Sequence, residues 1–119
     1  MAEPRLHTGG CHCGAVRYEV TIDATVGNAC NCSMCGRAGT LPSFVPDAQF
    51  KLLSGEDQLT DYQFNKCHIH HLFCKVCGIK SFAWGLGKDG AKTRAINIRC
   101  LDDFDLEGVT VNQVDGKKF

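Results

Sequence analysis

Alternation of apolar and polar residues predicts short strands along most of the chain. The clearest case is 15–21, where apolar side chains at positions 16, 18 and 20 alternate with polar ones. Further strands are predicted at 41–45, 50–53, 59–64, 68–73, 81–84, 95–99 and 109–114. Turn residues separate them, with one turn predicted at 23–27, and no segment carries apolar residues at helical spacing over ten positions. The pattern therefore predicts an all-β fold of short strands in folded sheets.

Individual positions refine this prediction. Pro42 cannot donate a backbone hydrogen bond, so the strand at 41–45 is predicted to lie at a sheet edge or to begin there. The strands at 68–73 and 81–84 are predicted to form a hairpin. Ile96 and Ile98 are predicted to share one strand face. Four aromatic residues are interpreted as core rather than as a substrate cage: Phe44, Phe73, Phe82 and Trp84.

Length and charge narrow the class of protein. The 119 residues suit one domain, and we expect a single zinc-binding domain over 1–119. A net charge of zero argues against a broad nucleic-acid surface, and no apolar run is long enough for a membrane helix. Residues 1–10 lack the apolar run of a signal peptide, so we expect a cytoplasmic protein with no nucleic-acid or membrane partner.

Nine cysteines are the unusual feature of the composition, and three of them fall within six residues. Cys30, Cys32 and Cys35 have the spacing Cys-x-Cys-x-x-Cys, which lets three sulfurs converge on one point. Zinc sites with three protein ligands and one exchangeable position are usually catalytic, whereas closed four-ligand sites are usually structural. We interpret these three cysteines as an open, catalytic zinc site.

Two further pairs of cysteines predict a closed site. Cys11 and Cys13 lie between glycines, and Cys74 and Cys77 precede Gly78 in a Cys-x-x-Cys-Gly zinc knuckle. Joining the pairs would tie together segments about sixty residues apart. In the alternative assignment, the second pair joins two of the central three cysteines and the first pair stays unused. Disulfides are a further alternative, disfavoured by the spacing and the expected compartment.

The other cysteines and a histidine group have less specific patterns. Cys67 and Cys100 are interpreted as small buried apolar residues. On a strand, His68 and His70 would share a face and His71 would take the other. A histidine beside the open zinc could move a proton, but one packed and otherwise surface-lying histidines are the simpler interpretation.

With these cysteine motifs, the chain resembles the glutathione-dependent formaldehyde-activating enzyme family, which includes centromere protein V. The matching stretches are GCHCGAVRY at 10–18, CNCSMC at 30–35, SGED at 54–57, FCKVCGI at 73–79 and NIRCLD at 97–102. The resemblance runs from Gly10 to about Gly116, and three cysteine groups occur in the family's order. It implies a β-tent fold organised by zinc knuckles.

The resemblance also implies two zinc ions per chain and a carbon–sulfur lyase activity. It places Cys11, Cys13, Cys74 and Cys77 at a structural zinc, and Cys30, Cys32 and Cys35 at a catalytic one, as the ligand count does. The implied substrates are a thiol, glutathione, and a small aldehyde, formaldehyde, joined reversibly as S-hydroxymethylglutathione. Glutathione is anionic, so a positive side chain is expected near the site, and Arg37 is the first candidate ahead of Lys75 and Arg99.

A second class of function remains open. All seven of these cysteines could be structural, in a zinc-stabilised binding module without catalysis. A ligand from the remaining cysteines or histidines that closed the second site would favour that class, whereas an exchangeable fourth position would favour the enzyme.

Overall fold

The computed structural model describes residues 4–31, 33–63, 69–87 and 89–114, which form ten strands and one α-helix. The strands are β1 (Arg5–Gly10), β2 (Arg17–Ile22), β3 (Val26–Cys30), β4 (Pro42–Pro46), β5 (Phe50–Ser54), β6 (Leu59–Tyr62), β7 (Ile69–Cys74), β8 (Phe82–Leu86), β9 (Lys92–Asn97) and β10 (Thr110–Val114). The helix is α1 (Ser33–Ala38), and single 3₁₀ turns occupy Asp47–Gln49, Glu56–Gln58, Ile98–Cys100 and Leu106–Gly108.

Two antiparallel sheets enclose the core. One has the strand order β1-β2-β5 and the other the order β4-β9-β8-β7-β6. Tyr18 of the first sheet packs edge-on against Phe82 of the second at 5.7 Å between ring centroids, and Phe50 contacts both rings. The alternation in β2 explains this contact, since its buried side chains all point towards the second sheet.

A small parallel pair carries the central cysteines. Strand β3 pairs in parallel with β10, so that Cys30 lies opposite Val114. The Asn28 side chain donates from Nδ2 to the Pro42 carbonyl at 3.2 Å, which ties β3 to the start of β4. Helix α1 begins three residues after Cys30 and buries none of its side chains.

The structure confirms the all-β, β-tent prediction and most of the strands. Strand β4 lies at the edge of its sheet, as Pro42 predicted, and β7 pairs with β8 as a hairpin. The strand predicted at 109–114 is β10. The predictions at 59–64 and 68–73 correspond to β6 and β7, although β6 ends at Tyr62, one residue before the described part of 59–64 ends, and residues 64–68 lie outside the described residues.

Other predictions were wrong in part. Residues 23–27 were predicted as a turn, yet β3 starts at Val26, and β1 was not predicted at all. Strand β9 ends at Asn97, and Ile98 begins a 3₁₀ turn, although Ile96 and Ile98 are both fully buried. Of the four aromatic residues assigned to the core, Phe82 is buried, whereas Phe44 is 60 % exposed on the edge strand. An edge strand has no neighbour on one side to cover such a ring.

Within the described residues, no helix has both the length and the apolar character needed to cross a membrane.

Candidate metal and thiol-binding sites

Four cysteines from two distant segments converge at one point. The sulfurs of Cys11, Cys13, Cys74 and Cys77 all lie within 4.8 Å of one another, with 3.5 Å between Cys11 and Cys13 and 3.7 Å between Cys13 and Cys74. In a tetrahedral zinc site with bonds of about 2.3 Å, sulfurs lie about 3.8 Å apart. The four thiols therefore fit a zinc ion, and these are the residues that the spacing had paired.

Local backbone structure holds this four-cysteine cluster in place. Cys11 follows β1 and Cys74 ends β7, and both are buried. The Gly78 amide donates to the Cys74 carbonyl at 2.7 Å and closes the knuckle, where Gly78 has a φ of +79°. Only glycine adopts that conformation without strain, so Gly78 suits the turn that closes the knuckle.

Backbone amides also point at the sulfurs, as expected for a site that holds thiolates. The Val16 amide donates to the Cys11 sulfur at 3.3 Å. Amides of Cys13 and then Ile79 lower the pKa of the Cys77 thiol to about 6. For Cys13, the Ala15 amide lowers the pKa, but burial and the three neighbouring thiols outweigh it and raise the pKa to about 11.

These opposed shifts have one physical meaning. A negative charge on Cys77 is stabilised by the amides, while a second negative charge on Cys13 beside it is repelled, so the Cys77 thiol loses its proton more easily than the Cys13 thiol. A divalent cation removes that repulsion and lets every thiol lose its proton. The cluster could therefore hold a metal ion in exchange for its protons.

The central cysteines lie on a different kind of backbone. Cys30 ends β3 and is half-buried, and Cys35 lies within α1, while Cys32 falls outside the described residues. The next residue after Cys30, Asn31, donates its amide to the Val114 carbonyl at 3.1 Å. The structure brings Cys30 and Cys35 onto the two ends of one short strand-to-helix segment, without deep burial of either.

The predicted substrate contact, Arg37, lies in the last turn of α1. Its side chain is exposed, and Nη1 donates to the Ser33 carbonyl at 3.0 Å. The guanidinium therefore lies close to the helix that carries Cys35. Its other N–H groups could donate to a carboxylate of a bound ligand. Lys75 and Arg99 are exposed as well.

His70 and His71 both lie on β7 and pack against other residues of the sheet. His70 stacks on Trp84 at 3.8 Å between ring centroids, and its Nδ1 lies 2.6 Å from an Asp61 carboxylate oxygen. His71 is on the opposite face, as predicted, with Lys80 Nζ 2.8 Å from its Nδ1. Burial, and then the Lys80 charge, lower the pKa of His71 to about 4, so it is neutral at physiological pH. His68 lies outside the described residues.

Of the two remaining cysteines, the structure describes only Cys100. Cys100 is half-buried, and burial raises the pKa of its thiol, which agrees with its interpretation as a small apolar residue. Cys67 lies outside the described residues.

A cavity of about 330 Å³ opens elsewhere, beside Arg5, His7 and the loop at 103–108, and no cysteine is among its described lining residues.

Sequence reasoning passed over one residue of this region, Asn97. Its side chain bridges the backbone near both cysteine groups, through bonds to the Leu41 amide and the Lys80 carbonyl. The only sequence signal was its place in the NIRCLD stretch. An asparagine at a strand end is common, so its partners become visible only in three dimensions.

Comparison with known proteins agrees with this arrangement. A family model described as glutathione-dependent formaldehyde-activating enzyme matches residues 6–113, which include both cysteine groups. Among solved structures, the chain is similar to a crystal structure of a Rhodobacter sphaeroides protein. The two share 27 % identity at a TM-score of 0.79, over 90 % of this chain and 99 % of the other. The chain belongs to the glutathione-dependent formaldehyde-activating enzyme family.

Proposed function

We propose that this protein is a cytoplasmic, zinc-dependent carbon–sulfur lyase that joins a thiol to a small aldehyde, or splits their adduct. Family membership over 6–113 suggests glutathione and formaldehyde as the pair. The observation that carries the proposal is the presence of two cysteine groups with different surroundings. A group of four, two of them buried, fits a closed metal site, whereas Cys30 and Cys35 are only partly buried, the first at the end of a strand and the second on a short helix.

The proposed roles follow from ligand count. Cys11, Cys13, Cys74 and Cys77 would hold a structural zinc, and Cys30, Cys32 and Cys35 would hold a second one, giving two ions per chain. When bound to three protein thiolates, zinc supplies a position for a fourth sulfur and favours its ionised form without redox chemistry. The closed site would then stabilise the fold that positions the Cys30–Cys35 segment.

The reaction balances without an oxidant or reductant. The thiol gives up its proton, the sulfur lone pair forms a bond to the aldehyde carbon, and the carbonyl π pair moves to oxygen, which takes up a proton. The reverse reaction breaks the same carbon–sulfur bond. Because both reactants are small, much of the rate gain would come from holding them together in one orientation. The exposed position of α1 leaves room for both to enter and leave.

Arg37 is the proposed contact for a glutathione carboxylate. It lies two residues after Cys35 on the same helix, so a ligand whose sulfur is held at the cysteines would have carboxylates within reach of this turn. The bond to Ser33 orients the guanidinium, which reduces the entropy lost when a carboxylate binds. The expected effect is on affinity rather than on the chemical step.

The proposal is tested by measuring exchange between free formaldehyde and its glutathione adduct with NMR. The zinc-loaded protein should accelerate exchange, and Cys32→Ala should abolish the acceleration while Cys100→Ala, matched in residue type, should retain it. Elemental analysis should give two zinc ions per chain for the wild type and one for Cys32→Ala. Unchanged exchange with two zinc ions bound would reject the lyase and favour the non-catalytic binding module.

A further inference from the structure

Asn97 makes hydrogen bonds from both ends of its side-chain amide. Its Oδ1 accepts from the Leu41 amide at 3.1 Å and from the Arg99 amide at 3.4 Å. Its Nδ2 donates to the Lys80 carbonyl at 2.9 Å and lies 3.5 Å from the Cys100 sulfur. Asn97 ends β9, so the rigid sheet fixes the position of this amide.

The Oδ1 side holds the exit of the segment that carries the central cysteines. Helix α1 ends at Ala38, the Gly39 amide donates to the Cys35 carbonyl at 3.0 Å, and the chain reaches Leu41 two residues later. Leu41 is buried, and its carbonyl also accepts from the Ile98 amide at 3.1 Å. Since α1 buries no side chain, its position depends on anchors of this kind at its ends.

The Nδ2 side holds the segment that leaves the four-cysteine cluster. Lys80 comes three residues after Cys77, and just before it the Ile79 carbonyl accepts from the Cys74 amide at 3.0 Å. The Asn97 backbone amide bonds to the neighbouring Ser81 carbonyl, also at 3.0 Å. The same residue therefore contacts the backbone beyond the knuckle through both its main chain and its side chain.

The entry to the central segment has its own anchors, which do not involve Asn97. Gly27 packs so closely on Leu41 that an added Cβ would lie 2.4 Å from its side chain, and the Asn28 side chain bonds to the Pro42 carbonyl. Entry and exit thus meet around Leu41. Among the described side chains near it, Asn97 links this point directly to the knuckle backbone.

We propose that Asn97 is a positioning residue for the central thiols: it holds the exit of α1 against the backbone that leaves the four-cysteine cluster, and so fixes Cys35 relative to Cys30. The inference rests on the proposed function in that the positioned thiols are taken to hold a metal ion. Groups that hydrogen-bond metal ligands directly typically change metal affinity by about 10–100-fold when they are replaced, and Asn97, which acts through the backbone, is expected at the lower end of this range.

Two substitutions separate the sides of the Asn97 amide. Asn97→Ala removes both sets of bonds. Asn97→Asp keeps an oxygen for the Leu41 amide but loses the donor to Lys80, and it supplies the test if the alanine variant does not fold. Metal affinity is measured for each site by competition with a chromophoric chelator, and exchange of the amides at 33–41 is followed by mass spectrometry. Asp102→Asn is the matched control, since it also loses side-chain bonds beyond β9, but to Thr8 and Arg17.

Both Asn97 variants should bind the second metal ion about 10-fold or more weakly, with the four-cysteine cluster unchanged. Amide exchange at Leu41 should accelerate in Asn97→Ala, and Asp102→Asn should behave as the wild type in both measurements. Equal weakening of both sites, or wild-type affinities with two ions bound, would overturn the inference and leave the proposed function standing. A wild-type protein that binds a single ion would overturn both, and this result is seen before any variant is made.

Discussion

The four-cysteine cluster and the Cys30–Cys35 segment carry the same ligand chemistry on opposite kinds of support. In the cluster, two cysteines are buried and backbone amides point at the sulfurs. In the segment, the helix buries no side chain, and hydrogen bonds at its two ends hold it to the sheets. Under the proposed roles, two cysteine groups with the same ligand type would differ in function because the surrounding structure supports them differently.

Replacing one cysteine in each region should give the largest contrast. Cys77→Ala leaves three crowded thiols and breaks the link between β1 and the β7–β8 hairpin, so it should unfold or aggregate the protein. Structural zinc is worth about 10–16 kcal/mol in small peptides, more than the stability of most domains. Cys32→Ala should leave a folded protein that has lost its second metal ion.

Thermal melts and zinc counts on both variants measure this contrast. The assignment of roles would be wrong if Cys32→Ala collapsed the fold while Cys77→Ala melted like the wild type. Cys100→Ala serves as the control, because it removes a thiol that belongs to neither group.

Two glycines provide a finer comparison, because they differ in place but not in conformation. Gly78 closes the knuckle with a φ of +79°, Gly39 follows α1 with a φ of +68°, and an added Cβ would meet nothing within 4 Å at either. Alanine at each should therefore cost a similar strain of about 1–2 kcal/mol.

The consequences of the two substitutions should differ. Gly78→Ala should lower the melting temperature and the metal affinity of the four-cysteine cluster. Gly39→Ala should change mainly the second site, because the strained turn borders α1. Calorimetry and chelator competition report the two effects, and a melting temperature lowered more by Gly39→Ala would reverse the comparison.

An ion pair beside the four-cysteine cluster should give a pH-dependent contribution to stability. Arg17, and then Thr8, donate hydrogen bonds to the Asp102 carboxylate and lower its pKa to about 2. A carboxyl whose pKa is lowered in the folded state stabilises that state above its unfolded pKa of about 4, and the contribution is lost as the pH falls through about 2.

Asp102→Asn should therefore cost about 0.5–1 kcal/mol at neutral pH, since Asp102 is about half exposed and solvent screens the pair. The difference from the wild type should shrink between pH 4 and pH 2. Urea unfolding across this range measures it, and a difference that stayed constant down to pH 2 would show that the carboxylate charge is not responsible.

Arg37→Ala should have a small effect, and only on the Cys30–Cys35 segment. Loss of an exposed guanidinium should weaken glutathione binding several-fold, or roughly 1 kcal/mol, because a partly solvated ion pair is lost. Binding of 2-mercaptoethanol, which has no carboxylate, should be unchanged. Isothermal titration of both thiols checks this, and equal weakening of the two would exclude a carboxylate contact.

The sequence predicted those features of the fold and of the candidate site that depend on a short, local residue pattern. Strand β2 was evident because every second side chain is apolar, and the four-cysteine cluster was evident because knuckle spacing and ligand number leave few pairings. Strand β1 was missed because its Gly9 and Gly10 carry no side-chain pattern. They are buried because the Cys100 carbonyl and the Val16 carbonyl approach too closely for any Cβ.

Three features were not predicted because they depend on contacts between distant segments or are too short to show a pattern. Strand β3 is rich in small residues and forms through β10, more than eighty residues later, so 23–27 was assigned wholly to a turn. Helix α1 spans only 6 residues, less than two turns, and shows no apolar period. The Asn97 bridge depends on three segments meeting, which a residue pattern does not encode.

The proposed open thiol-binding site can be tested by titrating cobalt-substituted protein with glutathione, because cobalt reports its sulfur ligands through its absorption spectrum. With two cobalt ions bound, glutathione should change the spectrum of one of them, since the proposed three-cysteine site would have a position for a fourth sulfur and the four-cysteine cluster would not. The change should saturate, weaken at low pH as protons compete for the thiol, and be absent in Cys32→Ala. A spectrum that glutathione leaves unchanged at neutral pH would contradict an open thiol-binding site, and with it the division of roles between the two cysteine groups.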